Sequence, residues 1–178
     1  MTGGIAMISR PAPTEYAQHY VGYVERVPEG DVLDHLARQI EETRALLRDL
    51  PPSRAVHRYA TGKWSVAEVV GHVADAERIF AYRTLRFARG DATPLESFDE
   101  NAYVPAGSFD RRTLTDLVDE LTAVRHATLA LLRGIPAEAF ARTGVASGRS
   151  VSARALAYII AGHELHHVAI LRERYGIG

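Results

Sequence analysis

The chain has 178 residues, 47% of them hydrophobic and 24% charged, enough to bury a core and still present a polar surface. Its 21 basic residues nearly balance 22 acidic ones, a net charge of −1 that argues against nucleic-acid binding, and the absence of cysteine excludes disulfides, thiolate metal sites and a protein thiol nucleophile. MTGGIAMISR has no apolar signal core, and the longest apolar run, Ala155 to Ala161, is too short to span a membrane. A cytoplasmic protein with no membrane partner is expected.

Taken in chain order, the sequence divides into a leader, residues 1–28, and a helical bundle, residues 29–178, of one domain. In the leader, Tyr16, Tyr20, Tyr23 and Val27 recur about once per helical turn, which predicts a short helix packed outside the bundle. The first long helix is predicted from Asp31 to Leu50, with Leu33, Leu36, Ile40 and Leu47 on one face and Pro51-Pro52 as its stop. A second opens at Ser65, with Glu68 three residues on as a capping box, and runs to Arg89 before Gly90. A third follows Asp110, read as its N-cap, and carries Leu114, Leu117, Val118, Leu121, Leu129 and Leu132. The fourth starts near Ser150 and closes at Gly176. No stretch alternates as a strand does, so the fold class is all-α, a four-helix bundle without a sheet. The connection from Gly90 to Phe109 is long, and loops of that length often cover a site. Its Asp99, Glu100 and Asn101 are within reach of a bundle mouth, the alternative being a solvated acidic loop.

Three of the eight histidines fall on apolar stripes. His163 and His167 are one turn apart on the face shared by Leu156, Ile159, Ile160 and Ile170, and His72 shares the stripe of Val69 and Ala76. Single buried histidines are usually satisfied by a hydrogen bond, but a His-x3-His pair facing a third from another helix is a ligand set for a divalent metal ion. Residues 163–167, HELHH, also match H-E-x-x-H, with Glu164 as general base. The downstream ligands of such peptidases are missing: VAILRERYGIG follows, and its one carboxylate, Glu173, is on the same helix.

Arg125 lies in line with Leu121 and Val118, where a charge must be paired or face a cavity. It is either a clamp for an anionic substrate or a snorkelling side chain. Asp75, three residues after His72, either orients an imidazole or pairs at the surface. Trp64 is either a hydrophobic staple or a wall of the pocket.

GKWSVAEVVGHVADAERIFAYRTLRFARGD (62–91) and ALAYIIAGHELHHVAILRERYG (155–176), with FDENAY and RVPEGD between and before them, resemble the DinB-like superfamily of metalloenzymes. The resemblance implies an up-down-down-up four-helix bundle and a divalent metal ion, zinc or nickel or one like them, held by His72, His163 and His167. It also implies a homodimer and kinship with transferases that use low-molecular-weight thiols such as bacillithiol, mycothiol or glutathione. The expected activity is activation of a small thiol, with Arg125 anchoring its carboxylate. The alternatives are hydrolysis, with Glu164 or Asp75 as base, and a non-catalytic binding module.

Overall fold

The computed structural model of the chain describes residues 7–178, so part of the segment read for a signal core, Met1 to Ala6, lies outside the described residues. The elements are α1 (Val21–Val24), α2 (Val32–Leu47), α3 (Pro52–Ala55), α4 (Val66–Ala88), α5 (Glu100–Gly107), α6 (Leu114–Arg133), strands β1 (Thr143–Ala146) and β2 (Arg149–Ser152), and α7 (Ala153–Tyr175). Among the described residues, no helix is long and apolar enough to cross a membrane.

The long helices α2, α4, α6 and α7 form the bundle, and side-chain pairs fix their directions. The α2 residues Gln39 and Thr43 donate to the Ala161 carbonyl (3.3 Å) and to Glu164 Oε1 (2.7 Å), so α2 and α7 run parallel. The Tyr175 hydroxyl at the end of α7 donates to the Trp64 carbonyl just before α4 (2.6 Å). At the other end, Arg142, which precedes α7, donates to the Ala88 carbonyl that finishes α4 (2.5 Å). Helices α4 and α7 are therefore antiparallel. Arg78 pairs with Glu120, and Leu85 and Leu131 share a groove farther along, which makes α6 parallel to α4. The order is up, down, down, up. Because α4 and α6 point the same way, the chain must return along the bundle between them, which accounts for the length of the 90–109 connection.

Local chemistry sets the boundaries. Ser65 caps α4 and forms the capping box with Glu68, and Asp31 caps α2 through the Leu33 N–H. Asp110 does not cap α6; Thr113 does, accepting from the Asp116 N–H (3.1 Å), while Asp110 holds Arg58 (2.6 Å) and the Ser65 hydroxyl. The expectation of no sheet is also corrected. Thr143–Ala146 and Arg149–Ser152 pair as a hairpin across Ser147-Gly148, whose φ values of 52° and 71° suit a two-residue loop of primed type. Helix α7 consequently begins after Ser152 rather than near Ser150. Leu95 pairs with the hairpin through Val145 O and Ser147 N (2.9 Å each) and anchors the long connection.

The leader packs against the bundle from outside, but not as one helix. Its periodicity resolves into two turns of 3₁₀ helix and the single-turn α1, with Val24 and Val27 buried. It packs across α7, where Gly162 admits it: a Cβ there would lie 2.0 Å from the Tyr23 carbonyl oxygen. Helix propensity favours Gly162→Ala by about 1 kcal/mol. The clash with backbone reverses the sign, and we expect a net loss of about 1–3 kcal/mol in urea unfolding. Equal or greater stability of the variant would contradict this packing.

Candidate metal centre

Helices α4 and α7 cross with His72 facing His163 and His167. All three are buried, at 7%, 6% and 9% exposure. The Nε2 atom of His163 lies 3.1 Å from that of His72 and 3.2 Å from that of His167. Only one proton can sit on His163 Nε2, so it cannot donate to both neighbours. Three nitrogens converging in this way fit a cation instead: metal–nitrogen bonds of about 2.1 Å in tetrahedral geometry place ligand atoms about 3.4 Å apart. The donor set therefore fits a divalent ion.

Aromatic rings wall the cluster. Trp64 lies 4.8 Å from His72, and Tyr23 and Phe80 lie 5.4 and 5.8 Å from His163, centroid to centroid. Burial is the main reason the imidazoles stay neutral. It lowers His72 to about 4 and His167 to about 3, and it lowers His163 well below the usual range, with His167 and His72 adding to the effect. Neutral imidazoles offer the lone pairs that a metal needs. His166 faces away from the convergence point, half-buried against Tyr23 at 5.4 Å.

The other expected site residues lie elsewhere. Arg125 is fully buried, but its Nε and Nη2 donate to the two carboxylate oxygens of Glu77 (2.9 and 2.8 Å) and its Nη1 donates to the Leu36 carbonyl (2.9 Å). Glu164 Oε2 adds an ion contact at 2.8 Å, without the alignment of a hydrogen bond. Burial works against the guanidinium charge, yet Glu164 and Glu77 outweigh it and raise its pKa. An arginine so engaged does not suit the role of substrate clamp. Glu164, held by Thr43 and Arg125, does not suit that of general base. Asp75 pairs with Arg78 (3.3 Å), which continues to Glu120 in a surface network, and burial raises the Asp75 pKa.

Cavities open on either flank of the histidines. One, of about 340 Å³, is lined by His72 and His163 together with Tyr20, Tyr23, Phe80, Arg83 and Glu100. The other, of about 250 Å³, reaches His167 between Trp64, Asn101 and Tyr175. Asp99 caps α5 and leaves Glu100 and Asn101 at the two mouths. The charge of Glu100 acts on His72, opposing part of the effect of burial. Sequence reasoning placed Glu100 within reach of a bundle mouth but gave it no catalytic role. Arg83 it missed, although Arg83 follows His72, Ala76 and Phe80 on one helical stripe, the signal that singled out Arg125.

The family model of the DinB superfamily matches residues 35–171. This chain belongs to the DinB superfamily. A Bacillus pumilus protein that carries the provisional name metal-dependent hydrolase is 24% identical over 144 residues, 79% of this chain and 81% of its own. The structure of YfiT from Bacillus subtilis, provisionally described as a metal-dependent hydrolase with an unusual four-helix bundle topology, superposes with a TM-score of 0.71 at 18% identity. That match covers 96% of this chain and 95% of YfiT. The mycothiol-dependent maleylpyruvate isomerase gives a TM-score of 0.64 at 16% identity, over 82% of this chain and 61% of the isomerase. At these identities the two structures establish the shared fold.

Since Arg125 compensates two buried carboxylates, Arg125→Met should cost about 3–5 kcal/mol of stability. Adding Glu77→Gln should return part of that loss, because one uncompensated carboxylate is removed. A double variant less stable than the sum of the two single changes, measured by urea unfolding, would contradict the pairing.

Proposed function

We propose that the protein is a metal-dependent hydrolase of small molecules, with His72, His163 and His167 as the metal ligands and Glu100 as the general base. The observation that carries this reading is the convergence of three neutral imidazoles beside a cavity whose one lining carboxylate is Glu100. A divalent ion held by three uncharged ligands supplies Lewis acidity toward an incoming water or thiol.

The chain's own residues would do the rest. Glu100 is exposed at the mouth and free of an ion pair among the described residues, so it can accept a proton from water entering the cavity. Burial raises the pKa of both Tyr20 and Tyr23, which keeps their phenols protonated as hydrogen-bond donors toward a developing oxyanion. Tyr23 and Phe80 exclude bulk water from one side of the imidazoles and Trp64 from the other.

A second reading, thiol transfer, is supported by the shared fold with the mycothiol-dependent isomerase. With no cysteine in the chain, that thiol would be diffusible. Glu100 favours hydrolysis, since a carboxylate that draws a proton from water has a clear place in that reaction.

His167→Ala and His72→Ala should each lose most of the bound metal, measured by elemental analysis, while His166→Ala should retain it. Unchanged metal content in His167→Ala would refute the ligand set. Glu100→Gln should keep the metal and lower kcat on activated esters by about 10²–10⁴-fold. Turnover only with added low-molecular-weight thiols, and insensitive to Glu100→Gln, would replace hydrolysis with thiol transfer.

A further inference from the structure

Among the described residues two arginines are buried in the bundle, and they differ in how their charge is met. Arg125 has two carboxylates. Arg83 is 2% exposed and has none within 4.0 Å among the described residues. Its Nη2 donates to two neutral acceptors, the Glu96 carbonyl (2.8 Å) and Ser147 Oγ (3.1 Å). Its Cζ lies 6.0 Å from the centre of the Phe98 ring, and the guanidinium acts on the neighbouring Tyr20 phenol, lowering its pKa against the larger effect of burial. A buried guanidinium without a counterion is costly, and nothing in the packing of α4 demands a cation there.

The location supplies a reason. Arg83 lines the cavity that holds His72 and His163, together with Tyr20, Phe98 and Ser147. The acid in that lining, Glu100, makes no ion pair with Arg83, and its charge is felt by His72, Tyr20 and Tyr23. The cavity therefore has a cation toward one end of the α4 stripe and the imidazoles toward the other. The rise from His72 to Arg83 is roughly 16 Å along the helix, shortened because a helical side chain leans toward the N-terminus. The neutral acceptors fix the guanidinium in place through the hairpin and the 90–109 connection, which prevents it from swinging into solvent.

We propose that Arg83 is the substrate-specificity residue, and that the cavity takes small molecules carrying a carboxylate several bonds from the group that reaches the histidines. This inference deepens the proposed function, naming the substrate class of the same site. Ligand carboxylate would supply the counterion that the protein withholds, and a charge-assisted contact in a desolvated pocket is worth about tenfold or more in affinity.

The test uses metal-free protein, so that a carboxylate cannot be drawn to a metal, and compares hexanoate with hexanamide by calorimetry and by the Nε–Hε resonance of Arg83. Hexanoate should bind at least tenfold tighter and shift that resonance, and hexanamide should leave it in place. Arg83→Met should lose the preference, and Arg83→Lys should keep part of it. Equal affinity of the two probes for the wild-type protein would overturn the assignment, and so would an undiminished preference in Arg83→Met. The wild-type comparison decides the matter even if a variant fails to fold. If the protein shows the carboxylate preference yet takes up no metal in elemental analysis, the anion site stands and the metal-dependent function falls.

Discussion

The guanidinium of Arg125 touches all four helices of the bundle. It extends from α6, holds Glu77 of α4 in a two-pronged hydrogen bond, and accepts the ion contact of Glu164 from α7. It reaches α2 through the Leu36 carbonyl, and Thr43 of α2 closes the circle on Glu164. Apolar side chains tolerate sliding of one helix along another with little penalty, but a buried charge with fixed partners does not. The network thus sets the registry of α4 against α7. Glu164 follows His163 directly in sequence, and Glu77 sits one and a half turns beyond His72, so the same registry brings His72 opposite the histidine pair. On this account the charge on the core stripe is structural, and its effect on the site is to position the imidazoles.

Topology supplies the remaining parts. Two successive parallel helices oblige the chain to cross the length of the bundle, and the crossing segment carries α5 over the open side of the histidines. Pinning of Leu95 to the hairpin and capping of α5 by Asp99 give that segment a defined path. The leader adds a further wall by laying Tyr23 on α7, where Gly162 lets backbone meet backbone, and Tyr20 against Phe80 of α4. Side chains from helices placed by packing and from segments placed by hydrogen bonds thus share one cavity.

Much of the fold was legible in the sequence because it is governed by local rules. Helical spacing of Leu33, Leu36 and Ile40, the Ser65–Glu68 capping box and the left-handed Gly176 after α7 all act within a few residues. The pairing of His163 with His167 is likewise a property of one helix, and their meeting with His72 follows from two apolar stripes facing a common core. What sequence could not supply depends on remote partners. The stripe position of Arg125 was evident, but Glu77 and Glu164, which decide its role, lie on other helices. The hairpin is two four-residue strands with little apolar alternation, made stable by Leu95 and by the turn at Ser147-Gly148. Asp110 carries a cap's chemistry, yet it serves Ser65 and Arg58, 45 and 52 positions away in the chain.

The central claim is that bundle registry presents three imidazole nitrogens to one cation. X-ray absorption on protein loaded with one equivalent of zinc tests it most directly. The account predicts an inner shell with three imidazole ligands at about 2.0–2.1 Å, identified by their multiple scattering. A shell of oxygen ligands with one imidazole or none would contradict it.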